Sequence, residues 1–127
     1  MVRTCGLGIV FAVIAVPVAL AQFPVPAAKP TPDILFRNQC ATCHSLNASD
    51  PPRQGPNLAG VIGRKAGSAP NFKYSAGFAN ADFNWDDERL DAYLTNPQAV
   101  IPGAVMPYRQ ANADTRKSII SYLEAQH

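Results

Sequence analysis

Ligand-forming side chains are nearly missing from this 127-residue chain, which holds two histidines, two methionines and three cysteines. A four-ligand structural metal site of cysteine and histidine therefore has almost nothing to draw on. Charge of one sign is missing too: the longest acidic run is Asp86, Asp87 and Glu88, and 11 basic residues stand against 9 acidic ones. That near balance argues against nucleic acid as a partner, which would need a basic face or tract. No alternation of apolar and polar residues marks a strand, and no internal repeat is visible.

What is present begins with an address. Met1 to Ala21 has a short basic start at Arg3, an apolar run from Gly6 to Val16 and a small-x-small site at Ala19-Leu20-Ala21. The pattern predicts a signal peptide over 1–21, cleaved to leave Gln22 first, and hence export to the periplasm. The alternative is an uncleaved segment that tethers the chain to a membrane. Against it, the apolar run is short for a span and Pro17 interrupts it. Cys5 is lost with the signal, and with Arg3 gone 11 basic residues become 10 against 9 acidic, a net charge of +1.

The mature chain is long enough for one small domain, whose apolar surface a buried cofactor would help to cover. Residues 22–32 carry Pro24, Pro26, Pro30 and Pro32 and read as an extended leader to a domain over 33–127. Three main helices are predicted. The first has Thr31 as cap, Pro32 at its first position and Ile34, Leu35 and Phe36 on its apolar side. The second runs from Trp85 to Thr95 with Asn84 as cap, and Asn96-Pro97 stops it. The third runs from about Thr115 to Glu124, with Asn112 or Asp114 near its start and Ile119, Tyr122 and Leu123 at helical spacing. About 40 residues of irregular, Gly- and Pro-containing chain separate the first two helices. A loop that long in a compact domain implies that something besides polypeptide organises it.

The motif that carries chemistry is Cys40-Ala41-Thr42-Cys43-His44, the C-x-x-C-H pattern of covalent haem attachment. On a helical turn two thiols three positions apart lie along one side and can each meet a porphyrin vinyl group, while the adjacent imidazole reaches the iron. Structural zinc would need four ligands, and the mature chain offers Cys40, Cys43, His44 and the terminal His127. A redox dithiol is chemically possible in an exported protein, but its usual strand-helix-strand setting is missing. A disulfide across two residues closes too small a loop to stabilise much. Met106, the one methionine beyond Met1, sits in a loop stiffened by Pro102 and Pro107, an unusual place for a core-filling residue and a suitable one for a distal iron ligand.

These residues also resemble a known family, the class I c-type cytochromes, which include mitochondrial cytochrome c and related bacterial soluble cytochromes. The resemblance covers Asp33 to Glu124. It rests on Cys40-Ala-Thr-Cys-His44, Gly55-Pro56-Asn57-Leu58, Gly63-Arg64-Lys65, Tyr74-Ser75, Trp85, Tyr93-Leu94-x-Asn96-Pro97 and Ile101-Pro102-Gly103-Ala-Val-Met106. It implies an all-α cytochrome c fold, with three main helices plus short ones and long loops wrapped around one haem c. The first and last helices would meet near Phe36 and Tyr122. His44 would be the proximal iron ligand and Met106 the distal one. Pro56 resembles the carbonyl that accepts the His44 ring N–H, Tyr93 the hydroxyl that bonds the methionine sulfur, and Arg64, Tyr74 and Trp85 the holders of a buried propionate. Ala104 and Val105 depart from the Thr and Lys of mitochondrial members, and Pro32 stands where a glycine is usual.

The implied function is single-electron transport between larger redox proteins, not catalysis. An iron held by imidazole and thioether has no open position, which suits outer-sphere transfer. Partners would dock at an exposed haem edge, with Arg53, Lys65, Lys73 and Arg109 as a modest basic rim on a monomeric protein. The alternatives are a subunit dedicated to one enzyme, or a haem sensor or peroxidase with a labile distal ligand.

Overall fold

The computed structural model describes residues 28–126. The expected signal peptide, the first part of the leader and His127 lie outside the described residues. Among those described, the architecture is all-α, and no helix is long and apolar enough to cross a membrane.

Four α-helices form: α1 (Pro32–Gln39), α2 (Asp87–Thr95), α3 (Pro97–Val100) and α4 (Ala113–Glu124), with a 3-10 turn at Ala76–Asn80. α1 starts where proline can sit without losing a helical hydrogen bond. Thr31 does precede it in extended conformation, but its hydroxyl donates to the Asp33 carboxylate and accepts from no helix N–H, so the expected side-chain cap does not form. α2 begins two residues later than expected. Its cap is Asp86, whose carboxylate accepts from Arg89 N at 2.7 Å, while Asn84 is used in an isolated antiparallel bridge with Lys65. Pro97 ends α2 and then opens the single turn of α3, again at a position that needs no N–H. α4 is capped by Asn112 Oδ1 on Thr115 N at 2.9 Å and begins two residues before the expected Thr115.

The helices bury one face each. α1 contributes Leu35 and Phe36, α2 Leu90, Tyr93 and Leu94, and α4 Ile119, Ile120 and Leu123. α1 packs on α4, with the Phe36 and Tyr122 rings 5.6 Å apart at 47°, the crossing the resemblance implies. α4 packs on α2 as well, and a bidentate ion pair locks that contact: Arg116 Nε reaches Asp91 Oδ1 at 2.7 Å and Nη2 reaches Oδ2 at 3.2 Å.

The long segment between α1 and α2 is irregular but not loose. Gly63 N donates to Trp85 O at 2.7 Å, Trp85 N to Arg64 O at 2.9 Å and Ala66 N to Phe83 O at 2.9 Å, which fastens its middle to its end. Leu58 N to Ser45 O at 2.8 Å and Gly60 N to Gln126 O at 2.9 Å tie the rest to the attachment turn and the C-terminal end. Backbone pairing of this kind leaves one large space in the centre unfilled by side chains.

Candidate functional site

That space is a cavity of about 310 Å³, within the range expected for a small-molecule or cofactor site. Cys40, Cys43, His44, Pro56, Arg64, Tyr74, Trp85, Tyr93 and Met106 all line it. The nine residues expected to hold the cofactor are thus brought to one place, although the chain separates the first from the last by more than sixty positions. Leu58, Val61, Leu90, Leu94, Ile119 and Leu123 supply apolar wall from three directions.

α1 ends at Gln39 and the chain turns through Cys40, with Cys43 N and His44 N both donating to Cys40 O at 3.1 and 3.0 Å. This turn presents two free thiols and an imidazole together. Burial pushes the Cys40 thiol up to about 11, with Cys43 beside it adding to the shift. A redox dithiol needs the opposite, a thiol held low so that it attacks as thiolate, and the site is poorly made for that role.

His44 Nδ1 lies 2.8 Å from Pro56 O. A carbonyl only accepts, so Nδ1 carries the proton and the lone pair resides on Nε2, available to a metal. Burial lowers the basicity of the ring and the Pro56 bond partly restores it. Gly55 lies directly against the ring: a Cβ there would fall 2.2 Å from His44 Cε1. The glycine is required by closeness, not by turn geometry.

One part of the lining gathers donors with unspent capacity. Trp85 is buried, and it lines the cavity. Ser75 Oγ is buried without a partner, and Tyr74 OH accepts from Ala69 N at 3.2 Å with its own proton unassigned. The Arg64 guanidinium, which burial makes less basic, bonds Ala59 O at 3.0 Å and Asn57 O at 2.8 Å and has no carboxylate beside it. Such a set is complementary to a buried anion.

Met106 follows a loop that approaches the 3-10 turn backbone to backbone. A Cβ on Gly77 would lie 2.3 Å from Pro102 O, and Gly103 next to it takes the left-handed φ of +87°. Gln98 stitches the loop to α3, its Oε1 accepting from Gly103 N at 3.0 Å while its amide group donates to Ala104 O.

Comparison with known proteins decides the identity of this arrangement. The cytochrome c family model matches residues 33–126. The chain belongs to the cytochrome c family. It is 41% identical over 90 residues to a cytochrome c2 of Rhodomicrobium vannielii, covering 70% of this chain and 72% of that protein. A cytochrome c of Theileria annulata is 37% identical over 110 residues, 76% of this chain and 95% of the other. A cytochrome c of Ginkgo biloba is 37% identical over 91 residues, 71% and 80%.

As a class I c-type cytochrome the protein is a haem-containing electron carrier, with one haem c attached covalently through Cys40 and Cys43. The residues present fit that group. The walls are apolar, the two thiols line the cavity, the close Gly55 backbone seats the imidazole, and the unspent donors suit the carboxylates of the porphyrin. Ser75, which the sequence offered only as a neighbour of Tyr74, joins the site because its hydroxyl is buried and unpartnered. Gln39, Phe72, Phe78 and Tyr108 also line the cavity and were not singled out. Lys65 fits the expected basic rim poorly, because Asp82 Oδ1 at 3.0 Å neutralises it, whereas Arg53, Lys73 and Arg109 form no ion pair among the described residues.

Proposed function

We propose that this protein is an exported, periplasmic electron carrier whose iron is held by His44 and Met106, with residues 1–21 removed as a signal and 22–32 left as a leader to the domain over 33–127. The observation that carries the reading is the meeting of an imidazole with a free Nε2 and the sole methionine of the mature chain on the walls of one apolar cavity. When bound, the haem iron supplies a single reversible one-electron change. The protein's residues set the conditions for it. Pro56 holds the His44 ring in one tautomer, the apolar walls keep water out, and Arg64, Tyr74, Ser75 and Trp85 hold a buried carboxylate. Tyr93, whose hydroxyl has no partner among the described residues and whose phenol burial pushes up to about 12, stands as the donor to the methionine sulfur.

Docking takes place beside Val105, the exposed large apolar residue of the described surface at 79%. Lys73 lines the cavity, Arg53 and Arg109 adjoin the lining residues Gln54 and Tyr108, and none of the lining residues carries a carboxylate, so an acidic redox protein with an apolar contact fits this face. Carbon monoxide tests the ligand reading. Wild-type ferrous protein is expected to resist it near neutral pH, and Met106→Ala is expected to bind it and to have a lower reduction potential. Ready binding by the wild type would put the sensor or peroxidase alternative first.

A further inference from the structure

The chain just beyond Met106 is held by a closed triangle of side chains. Tyr108 OH donates to Gln39 Oε1, and Gln110 Nε2 donates both to that oxygen at 2.9 Å and to Tyr108 OH at 3.1 Å. All three residues are half-buried, and the donor and acceptor roles close without conflict. Gln39 is the last residue of α1 and precedes Cys40, while Tyr108 lies two positions past Met106. The triangle therefore joins the haem-attachment turn to the methionine segment across 69 positions of sequence.

Gln110 is itself fixed on every side. Its N–H donates to Leu94 O at 2.8 Å, its Oε1 accepts from Asn112 N at 3.0 Å, and its carbonyl accepts from Arg116 Nη1 at 2.9 Å. Upstream the segment is held by Gln98. Between these two anchors Met106 is half-buried against the core while its neighbours Val105, 79% exposed, and Pro107 face outward. Amide hydrogen bonds on either side hold the segment that carries it.

We propose that Gln39 is a positioning residue for Met106: its side-chain oxygen, through Tyr108 and Gln110, sets how readily an outside ligand displaces the methionine sulfur from the iron. The inference rests on Met106 being the distal ligand. Only Oε1 of Gln39 is used, which gives a sharp test, because a carboxylate preserves the acceptor and an aliphatic group removes it.

The experiment titrates ferric holoprotein with imidazole and follows the weak far-red band of sulfur bound to ferric iron, with thermal unfolding measured in parallel. Gln39→Leu and Tyr108→Phe are each expected to tighten imidazole binding by about five- to tenfold, the worth of roughly one hydrogen bond. Gln39→Glu is expected to stay within about twofold of wild type. A Gln39→Leu affinity equal to wild type would overturn the proposal, and so would Gln39→Glu behaving like Gln39→Leu. A wild-type ferric protein without the far-red band would instead remove the ligand reading itself, before any variant is compared.

Discussion

Gly55→Ala adds one methyl group where the structure has no room for it. The new Cβ would sit 2.2 Å from His44 Cε1, 2.6 Å from Nδ1 and 2.8 Å from Nε2, against about 3.4 Å for an ordinary contact. Relief requires the ring or the Gly55 backbone to retreat by about 1.2 Å, the difference between 3.4 and 2.2. The ring cannot retreat freely, since Nδ1 is bonded to Pro56 O at 2.8 Å, and the backbone is pinned by Gly55 N on Cys43 O at 2.8 Å. Overpacking of one methyl costs about 1–3 kcal/mol and a lost hydrogen bond about 1 more, so a loss of about 2–4 kcal/mol is expected. Denaturant unfolding of the holoprotein, followed through the fluorescence of Trp85, measures it. Gly60→Ala serves as the comparison, because Gly60 has φ +62° and open space around it, so only backbone strain of about 1 kcal/mol applies. Gly55→Ala should also shift the reduction potential, and Gly60→Ala should not. Equal losses for the two variants with unchanged potentials would refute the reasoning.

Three further outcomes follow from the same geometry. Phe36→Ala empties a 4%-exposed site against Tyr122 at the α1–α4 crossing and should cost about 3–5 kcal/mol in denaturant unfolding while leaving the attached haem in place. Tyr93, raised by burial from 10.0 to about 12, keeps its proton in the folded state after the unfolded chain has lost it. Its contribution is present below pH 10 and is lost between pH 10 and 12, by about 3 kcal/mol in all, so Tyr93→Phe should flatten that stretch of the stability profile. Electron transfer to an acidic partner should fall only weakly with ionic strength, because few unpaired cations steer the encounter, and a steep fall would contradict the rim of Arg53, Lys73 and Arg109.

How far the sequence could be read depends on how local each feature is. Proline at the start of α1, asparagine at the start of α4 and the helical spacing of Ile119, Tyr122 and Leu123 are local signals, and those elements were legible, whereas Pro97 read only as the end of α2 and not as the start of α3. The start of α2 was misplaced because Asn84 and Asp86 can both cap, and the choice is made by the bridge between Asn84 and Lys65, nineteen positions apart. The same fold-back sets Lys65 near Asp82, which a list of charges does not reveal. At the site, residues with a chemical signature of their own were found: two thiols, an imidazole, one methionine. Ser75 and the Gln39, Tyr108 and Gln110 triangle have ordinary composition, and their roles come from burial and from neighbours 69 and 71 positions away. Nothing in a short window carries that information.

The contact between Gly77 and the Pro102-Gly103 backbone has a consequence for which variants the protein can accept. A packed contact between side chains can be rebuilt by exchanging a large residue on one face for a small one on the other. Here neither face has a side chain to trade. Any replacement at position 77 acts as a wedge 2.3 Å from the Pro102 carbonyl, and no compensating change at 102 or 103 can make space, because the obstruction is the main chain itself. The two loops can be forced apart but cannot be re-fitted. Position 77 is therefore closed to gradual substitution, and a descendant that loses this glycine has to rebuild the whole approach to Met106.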